Sequence, residues 1–260
     1  MMNRRKFVQL SATTAISANL PLAQPAFNPK EIKKKIFITG GSMDSKFIMY
    51  IASLTGKENP KICFFPTATG DSLVTIVRWF DSCANLPIRP YVQRMFISSY
   101  NQKESFETVL LGMDAIIVGG GNTLNMMVIW KAHKIDEILK KAWEKGIVLG
   151  GGSAGSLCWF EHGTTDSRPT ELSRVDCLGF ITTSHCPHYH AEPQRRPLYL
   201  SKIKSKEYKA GYACDDKAGI YFEDNEVKKV VALDETSNAY FVSLDKGEVK
   251  EELLTKEVLK

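Results

Sequence analysis

GIVLGGGSAGSLCWF, residues 146–160, is the stretch whose reading decides the fold. Its first seven residues carry no polar side chain, which marks a strand covered on both faces rather than one with a wet side. Glycines end that strand, and "SLCWF" can run on as a helix. Strand, tight glycine turn and helix in that order are the repeating unit of a parallel sheet wrapped in helices. The unit recurs upstream. "KIFITGG" (35–41), "KICFFPTA" (61–68), "RPYVQRMFIS" (89–98) and "DAIIVGGG" (114–121) predict strands, with helices over 44–54, 70–85, 103–111, 122–130 and 132–145. The expected class is α/β: a mostly parallel sheet flanked by helices on both faces, in three α/β/α layers. Right-handed crossovers then bring the C-terminal ends of the strands to one edge, where ligands bind in such sheets. The C-terminal segments "AGIYFED", "VKKVVALD", "AYFVSLD" and "VKEELL" predict short strands joined by charged turns, expected as antiparallel additions to the same sheet.

Bulk properties exclude several functions. The chain has 260 residues, 43% hydrophobic and 24% charged, and a formal charge of +5. Of that charge, +3 comes from Arg4, Arg5 and Lys6, because residues 1–26 contain no acid; this leaves +2 for the remainder. No nucleic-acid partner is expected from so weak and scattered a charge. Lys33, Lys34 and Lys35 form a short run, but it leads directly into an apolar strand. No segment reaches the ~18–20 apolar residues of a membrane span. Residues 1–29 are expected to be an export leader and 30–260 a single domain. The start "MMNRRKFVQLSATTAISANLPLAQPAF" joins a basic pair to a mildly apolar Ala/Ser/Thr stretch, similar to a twin-arginine signal, with a cytoplasmic protein bearing a basic tail as the alternative. Six cysteines stand at 63, 83, 158, 177, 186 and 214 with no C-x-x-C spacing. Buried thiols are expected, with a Cys177–Cys186 disulfide as the pairing an oxidising compartment would allow.

The chemistry gathers around Ser153. Residues 151–155 fit G-x-S-x-G between a strand and a helix, the pattern of a nucleophile elbow, in which a sharp turn lifts a serine hydroxyl above the sheet edge. The same turn leaves the N–H of Ala154 facing that space. "VGGGNTL" (118–124) ends a second strand on the same edge, so Gly120 or Gly121 can supply the other donor of an oxyanion hole. A dinucleotide fingerprint is not met, since "GGGNTL" lacks the third spaced glycine.

A serine nucleophile needs a base, and histidine is the natural one near neutral pH. The chain has five histidines, three of them in "SHCPHYH" (184–190). His133 falls on a polar helix and His162 in an expected loop. In an extended segment Cys186, His188 and His190 share one face, which keeps a zinc site open, but Pro187 and the lack of a spaced fourth ligand speak against it. One imidazole acting as base is the economical reading, and no metal or cofactor is expected. No histidine follows residue 190, so the order serine, histidine, acid fits best, with the acid in "GYACDD" (211–216) as Asp215 or Asp216.

Four ordered motifs, "IIVGGGNTLNM", "GGSAGSLCWF", "PHYHAEPQRR" and "GYACDDKAGIYF", resemble the peptidase E (aspartyl dipeptidase) family of serine peptidases, whose fold is like that of class I glutamine amidotransferases. The resemblance runs from about residue 35 to residue 225. It implies Ser153 as nucleophile, His188 as base and Asp216 at the position usually held by glutamate in the third motif. It also implies an oxyanion hole at Gly120, Gly121 and Ala154, and small peptide substrates, with an N-terminal acidic residue in characterised relatives. His190 stands where related sequences often carry aspartate. Arg195 and Arg196 are candidates for a substrate carboxylate, Glu192 for an α-amino group, and Asn122 for a further substrate contact. A homodimer is left open. The rival readings are an esterase or amidase using the same three residues, and a non-catalytic binding domain of amidotransferase-like fold.

Overall fold

In this computed structural model the described residues are 32–260, Ser42 and Ser98 excepted; the expected leader over 1–29 lies outside them. Five strands, all but the edge strand β3 built on apolar runs, pair in parallel as β1 (Lys35–Thr39), β2 (Lys61–Phe65), β3 (Arg89–Val92), β4 (Ala115–Val118) and β5 (Val148–Gly152), in the spatial order β1-β5-β4-β2-β3. Alternate residues of each strand face opposite sides. Ile36, Ile38, Phe65, Ile116, Val118 and Leu149 enter one apolar core. Phe37, Phe64, Ile117 and Val148 enter another on the opposite face.

Each face has its own helices. α1 (Ser45–Leu54) and α2 (Leu73–Cys83) cover the second core through Phe47, Ile48, Ile51 and Trp79. α3 (Phe106–Leu111), α4 (Thr123–Ala132) and α5 (Ile135–Glu144) cover the first through Leu110, Met126, Trp130 and Leu139. This is the expected three-layer arrangement. The segment 89–98 is a strand only over Arg89–Val92. Beyond it, the N–H groups of Met95 and Phe96 turn to the Asp71 carboxylate, at 2.5 and 2.6 Å, instead of a sheet neighbour.

The C-terminal strands do not all extend that sheet. After the four-residue helix α6 (Ala154–Leu157) a second, six-stranded sheet begins. It comprises β6 (Phe160–Thr165), β7 (Ser173–Asp176), β8 (Ile181–Cys186), β9 (Gly211–Cys214), β12 (Ala239–Asp245) and β13 (Glu248–Leu253). Helix α7 (Arg195–Lys204) supplies Tyr199 and Ile203 to the small core beside Cys186, Ala213 and Val242. β10 (Ala218–Glu223), β11 (Glu226–Ala232) and β14 (Glu257–Val258) join the first sheet, β10 running antiparallel to β1. The split has a simple cause. β10 has β1 on one side and β11 on the other, and β14 takes the far side of β11, so "AYFVSLD" finds its partner in β9.

Three local expectations change with this. "SLCWF" is helical only to Leu157, because the carbonyls of Cys158 and Trp159 accept from Leu178 and Ile181 and draw the chain into β6. His162 is a buried strand residue rather than a loop residue. Cys177 and Cys186 are both free: Cys177 packs on the main core, whereas Cys186 belongs to the small one beside α7.

Candidate active site

The site grows from the end of β5. Ser153 has φ 57° and ψ −119°, a backbone conformation costly for any residue with a Cβ. Two anchors hold it. Its N–H donates to Thr39 O at 3.4 Å, and its carbonyl accepts from Ser156 N and Leu157 N at 3.0 and 2.9 Å. Close approach of β4 completes the turn, since a Cβ on Gly155 would lie 2.0 Å from Val118 O. Only glycine lets the helix start this near the neighbouring strand.

His188 comes from the loop after β8, also at positive φ (56°). The loop is stitched down by His188 N to Gly40 O at 3.3 Å and Tyr189 N to Cys214 O at 3.1 Å. His188 Nδ1 lies 2.7 Å from Asp216 Oδ1 and Nε2 lies 2.8 Å from Ser153 Oγ. A carboxylate can only accept, so Nδ1 donates to Asp216, and in that tautomer Nε2 is placed to accept from the serine hydroxyl. Asp216 occupies the turn between β9 and β10, with Gly41 N donating to its carbonyl at 3.1 Å. Gly40 and Gly41, which sequence reasoning left out of the site, pass so close to Asp215 and Asp216 that a Cβ on either would lie under 3 Å from them. The signal available was the glycine pair closing β1 on the same sheet edge.

The other members of "SHCPHYH" go elsewhere. His190 Nδ1 donates to Asp215 Oδ1 at 2.8 Å, and Asp215 Oδ2 accepts from Asn238 N at 2.8 Å. Asp215 therefore belongs to a separate pair and Asp216 to His188. His185 is fully buried, donates through Nδ1 to Tyr212 O at 2.9 Å and has Nε2 2.9 Å from Ser156 Oγ. Burial pushes its pKa down to about 3. Cys186 is buried at the end of β8, its thiol pushed up to about 12 by burial. The three groups that an extended strand would aim at one metal thus have three separate surroundings. Among the described residues no group of three or more His, Cys, Asp or Glu side chains is set to hold a metal ion.

The remaining candidates divide. Gly120 lies against Ser153, a Cβ placed on it being 3.5 Å from Ser153 Oγ. Among the described residues the N–H groups of Gly120, Gly121 and Ala154 have no hydrogen-bond partner. Asn122 is engaged as the N-cap of α4, accepting from Asn125 N at 2.8 Å and donating to Ser167 O at 3.0 Å. Arg195 is only 2% exposed and bonds Glu192 at 2.7 Å and Thr164 O at 2.9 Å, which occupies Glu192 as well. Arg196 forms a fork with Glu251 at 2.9 and 2.5 Å. Burial alone would raise the Glu251 pKa, but the Arg196 and Tyr189 hydrogen bonds hold it below its usual value. In their present pairings these four side chains knit α4 and α7 to their surroundings.

A cavity of about 540 Å³ opens beside Ser153 and His188. Phe64 and Trp79, stacked at 5.3 Å, line it together with Met43 and Ile48, and α2 adds Arg78 and Asp81.

Comparison with known proteins gives the chain a family. The model of peptidase family S51 matches residues 36–230. An uncharacterized peptidase of Bacillus subtilis (strain 168), YgaJ, is 40% identical over 202 residues, covering 78% of this chain and 86% of its own. A solved structure of a peptidase from an acI-B1 Actinobacterium is similar in fold, with a TM-score of 0.66 at 16% identity, over 85% of this chain and 94% of that one. A second, of a candidate peptidase E protein from Listeria monocytogenes EGD-e, has a TM-score of 0.60 at 20% identity, over 78% of this chain and all of that one. A family match across three quarters of the chain, together with a relative at this identity, means that the protein belongs to peptidase family S51, the peptidase E family, and is a peptidase.

Proposed function

We propose that the protein hydrolyses short peptides through an acyl-enzyme on Ser153, with His188 as general base and Asp216 as the carboxylate that orients it. The observation that carries this reading is the continuous chain Ser153 Oγ, His188 Nε2, His188 Nδ1, Asp216 Oδ1, with links of 2.8 and 2.7 Å. As Ser153 Oγ attacks the peptide carbonyl, its proton passes to His188 Nε2, and Asp216 stabilises the imidazolium. The carbonyl oxygen becomes an oxyanion that accepts from N–H groups at Gly120 or Gly121 and at Ala154. Collapse breaks the C–N bond, the leaving amine takes the proton from Nε2, and water repeats the sequence to free Ser153. An N-terminal acidic residue remains the preferred substrate feature by family resemblance, and export through the Arg4-Arg5 leader is proposed on the sequence alone.

The test is labelling of the purified protein with a fluorophosphonate. Labelling of wild type that is lost in Ser153→Ala and His188→Ala supports the reading. Folded wild type that stays unlabelled would overturn it and favour a binding domain. Turnover of dipeptides but not of simple esters separates the peptidase from an esterase with the same residues.

A further inference from the structure

The cavity beside Ser153 holds a cation that the motifs do not mark. Arg78 stands on the exposed part of α2 and lines the cavity that also reaches Ser153 and His188. It has no hydrogen bond or ion pair among the described residues, in contrast to Arg195 and Arg196, whose guanidinium groups are committed to Glu192 and Glu251. Asp81, one turn along the same helix, lines the cavity without pairing to Arg78. Most of the remaining side chains of the wall are apolar (Met43, Ile48, Phe64, Trp79 and Val118), with the hydroxyls of Thr75 and Ser82 on the α2 side. A site of this kind binds through apolar area and uses a few polar groups to fix orientation. An unpaired guanidinium at the margin of an apolar pocket suits a carboxylate attached to, or next to, an apolar side chain.

We propose that Arg78 is the specificity-determining cation of this site, holding a carboxylate of a short peptide while the Phe64–Trp79 wall takes an apolar side chain of the same peptide. The inference rests on the hydrolase reading of Ser153. The carboxylate has two sources, the peptide C-terminus or an acidic side chain.

Three peptides separate them: alanyl-phenylalanine, its C-terminal amide, and aspartyl-phenylalanine amide, each assayed with wild type, Arg78→Ala and Arg78→Lys. Wild type is expected to prefer a carboxylate-bearing peptide over alanyl-phenylalanine amide. Arg78→Ala is expected to cut that preference about ten-fold or more, mainly through KM, with partial rescue by Arg78→Lys. Loss on the free acid assigns the C-terminal carboxylate; loss on the aspartyl amide assigns the side chain. An equal effect of Arg78→Ala on all three peptides, or no effect, overturns the proposal. Fluorophosphonate labelling run alongside keeps the two ideas apart. A labelled protein with unchanged preference counts against Arg78 alone, whereas an unlabelled wild type removes the site on which both depend.

Discussion

Ser153 and His188 both carry positive φ, 57° and 56°, where a residue with a Cβ costs about 1–3 kcal/mol. The surrounding contacts sustain that cost, so relief of it is measurable. Ser153→Gly should be more stable than Ser153→Ala by about 1 kcal/mol in denaturant unfolding, with both inactive. Equal stability would mean that the turn is not strained. The two neighbouring aspartates should behave differently. Asp216→Asn replaces an acceptor-only carboxylate with an amide whose NH2 can donate to His188 Nδ1 and hold the wrong tautomer, so kcat should fall by on the order of 10³–10⁴ with little change in stability. Asp215→Ala leaves Asn238 N without its acceptor and frees His190; it should cost about 1–3 kcal/mol of stability and leave the larger part of kcat intact. The opposite pattern would give the orienting role to Asp215.

At the scale of elements, the site depends on how closely α6 starts to β4. A Cβ at residue 155 would meet Val118 O at 2.0 Å and Val118 C at 2.6 Å, both backbone atoms that a rotamer change cannot move. Gly155→Ala should therefore destabilise by about 1–3 kcal/mol or more through overpacking. It should also shift Ser153 from His188, and a displacement near 1 Å is worth about 10²-fold in rate. Unfolding midpoint and kcat/KM measured on the same preparation check both effects. Normal activity in the variant would mean that α6 can slide without disturbing the serine. The G-x-S-x-G pattern made this glycine visible in the sequence. The strand it touches was not visible, because Val118 lies 37 positions away by residue number.

Over the whole molecule, stability should be acid-sensitive before the carboxylates titrate. His185 is fully buried and neutral, its pKa pushed to about 3 by burial, against about 6.5 in an unfolded chain. Burial also lowers the pKa of His162. The unfolded state therefore binds more protons at mildly acidic pH. Stability from these groups is fully present above about pH 6.5 and is lost as pH falls toward the folded values, at up to ~1.4 kcal/mol per pH unit for each group. Denaturant midpoints should drop between pH 6.5 and 5. A flat profile there would mean that His185 is protonated in the folded protein.

Over residues 35–152, strand and helix order, the burial of both sheet faces and the marked serine that follows are local facts, so the sequence by itself determined them: an apolar run such as "IFI" (36–38) or "AIIV" (115–118) has no wet face to offer, and glycines flanking a serine announce a turn that tolerates no side chain. Tertiary structure decided the rest, because it turns on which edges and partners remain free. The expected single sheet became two when β10 was taken by β1 and β11, leaving β12 to pair with β9. The three histidines of "SHCPHYH" look alike in sequence, and only the bends at Pro187 and His188 separate a buried imidazole, one against Ser153 and one paired with Asp215. The basic pair Arg195-Arg196 attracts attention by adjacency, yet both are committed to carboxylates. Arg78 sits among apolar neighbours in an ordinary helix, and only packing of α2 over the first sheet brings it to the cavity at Ser153.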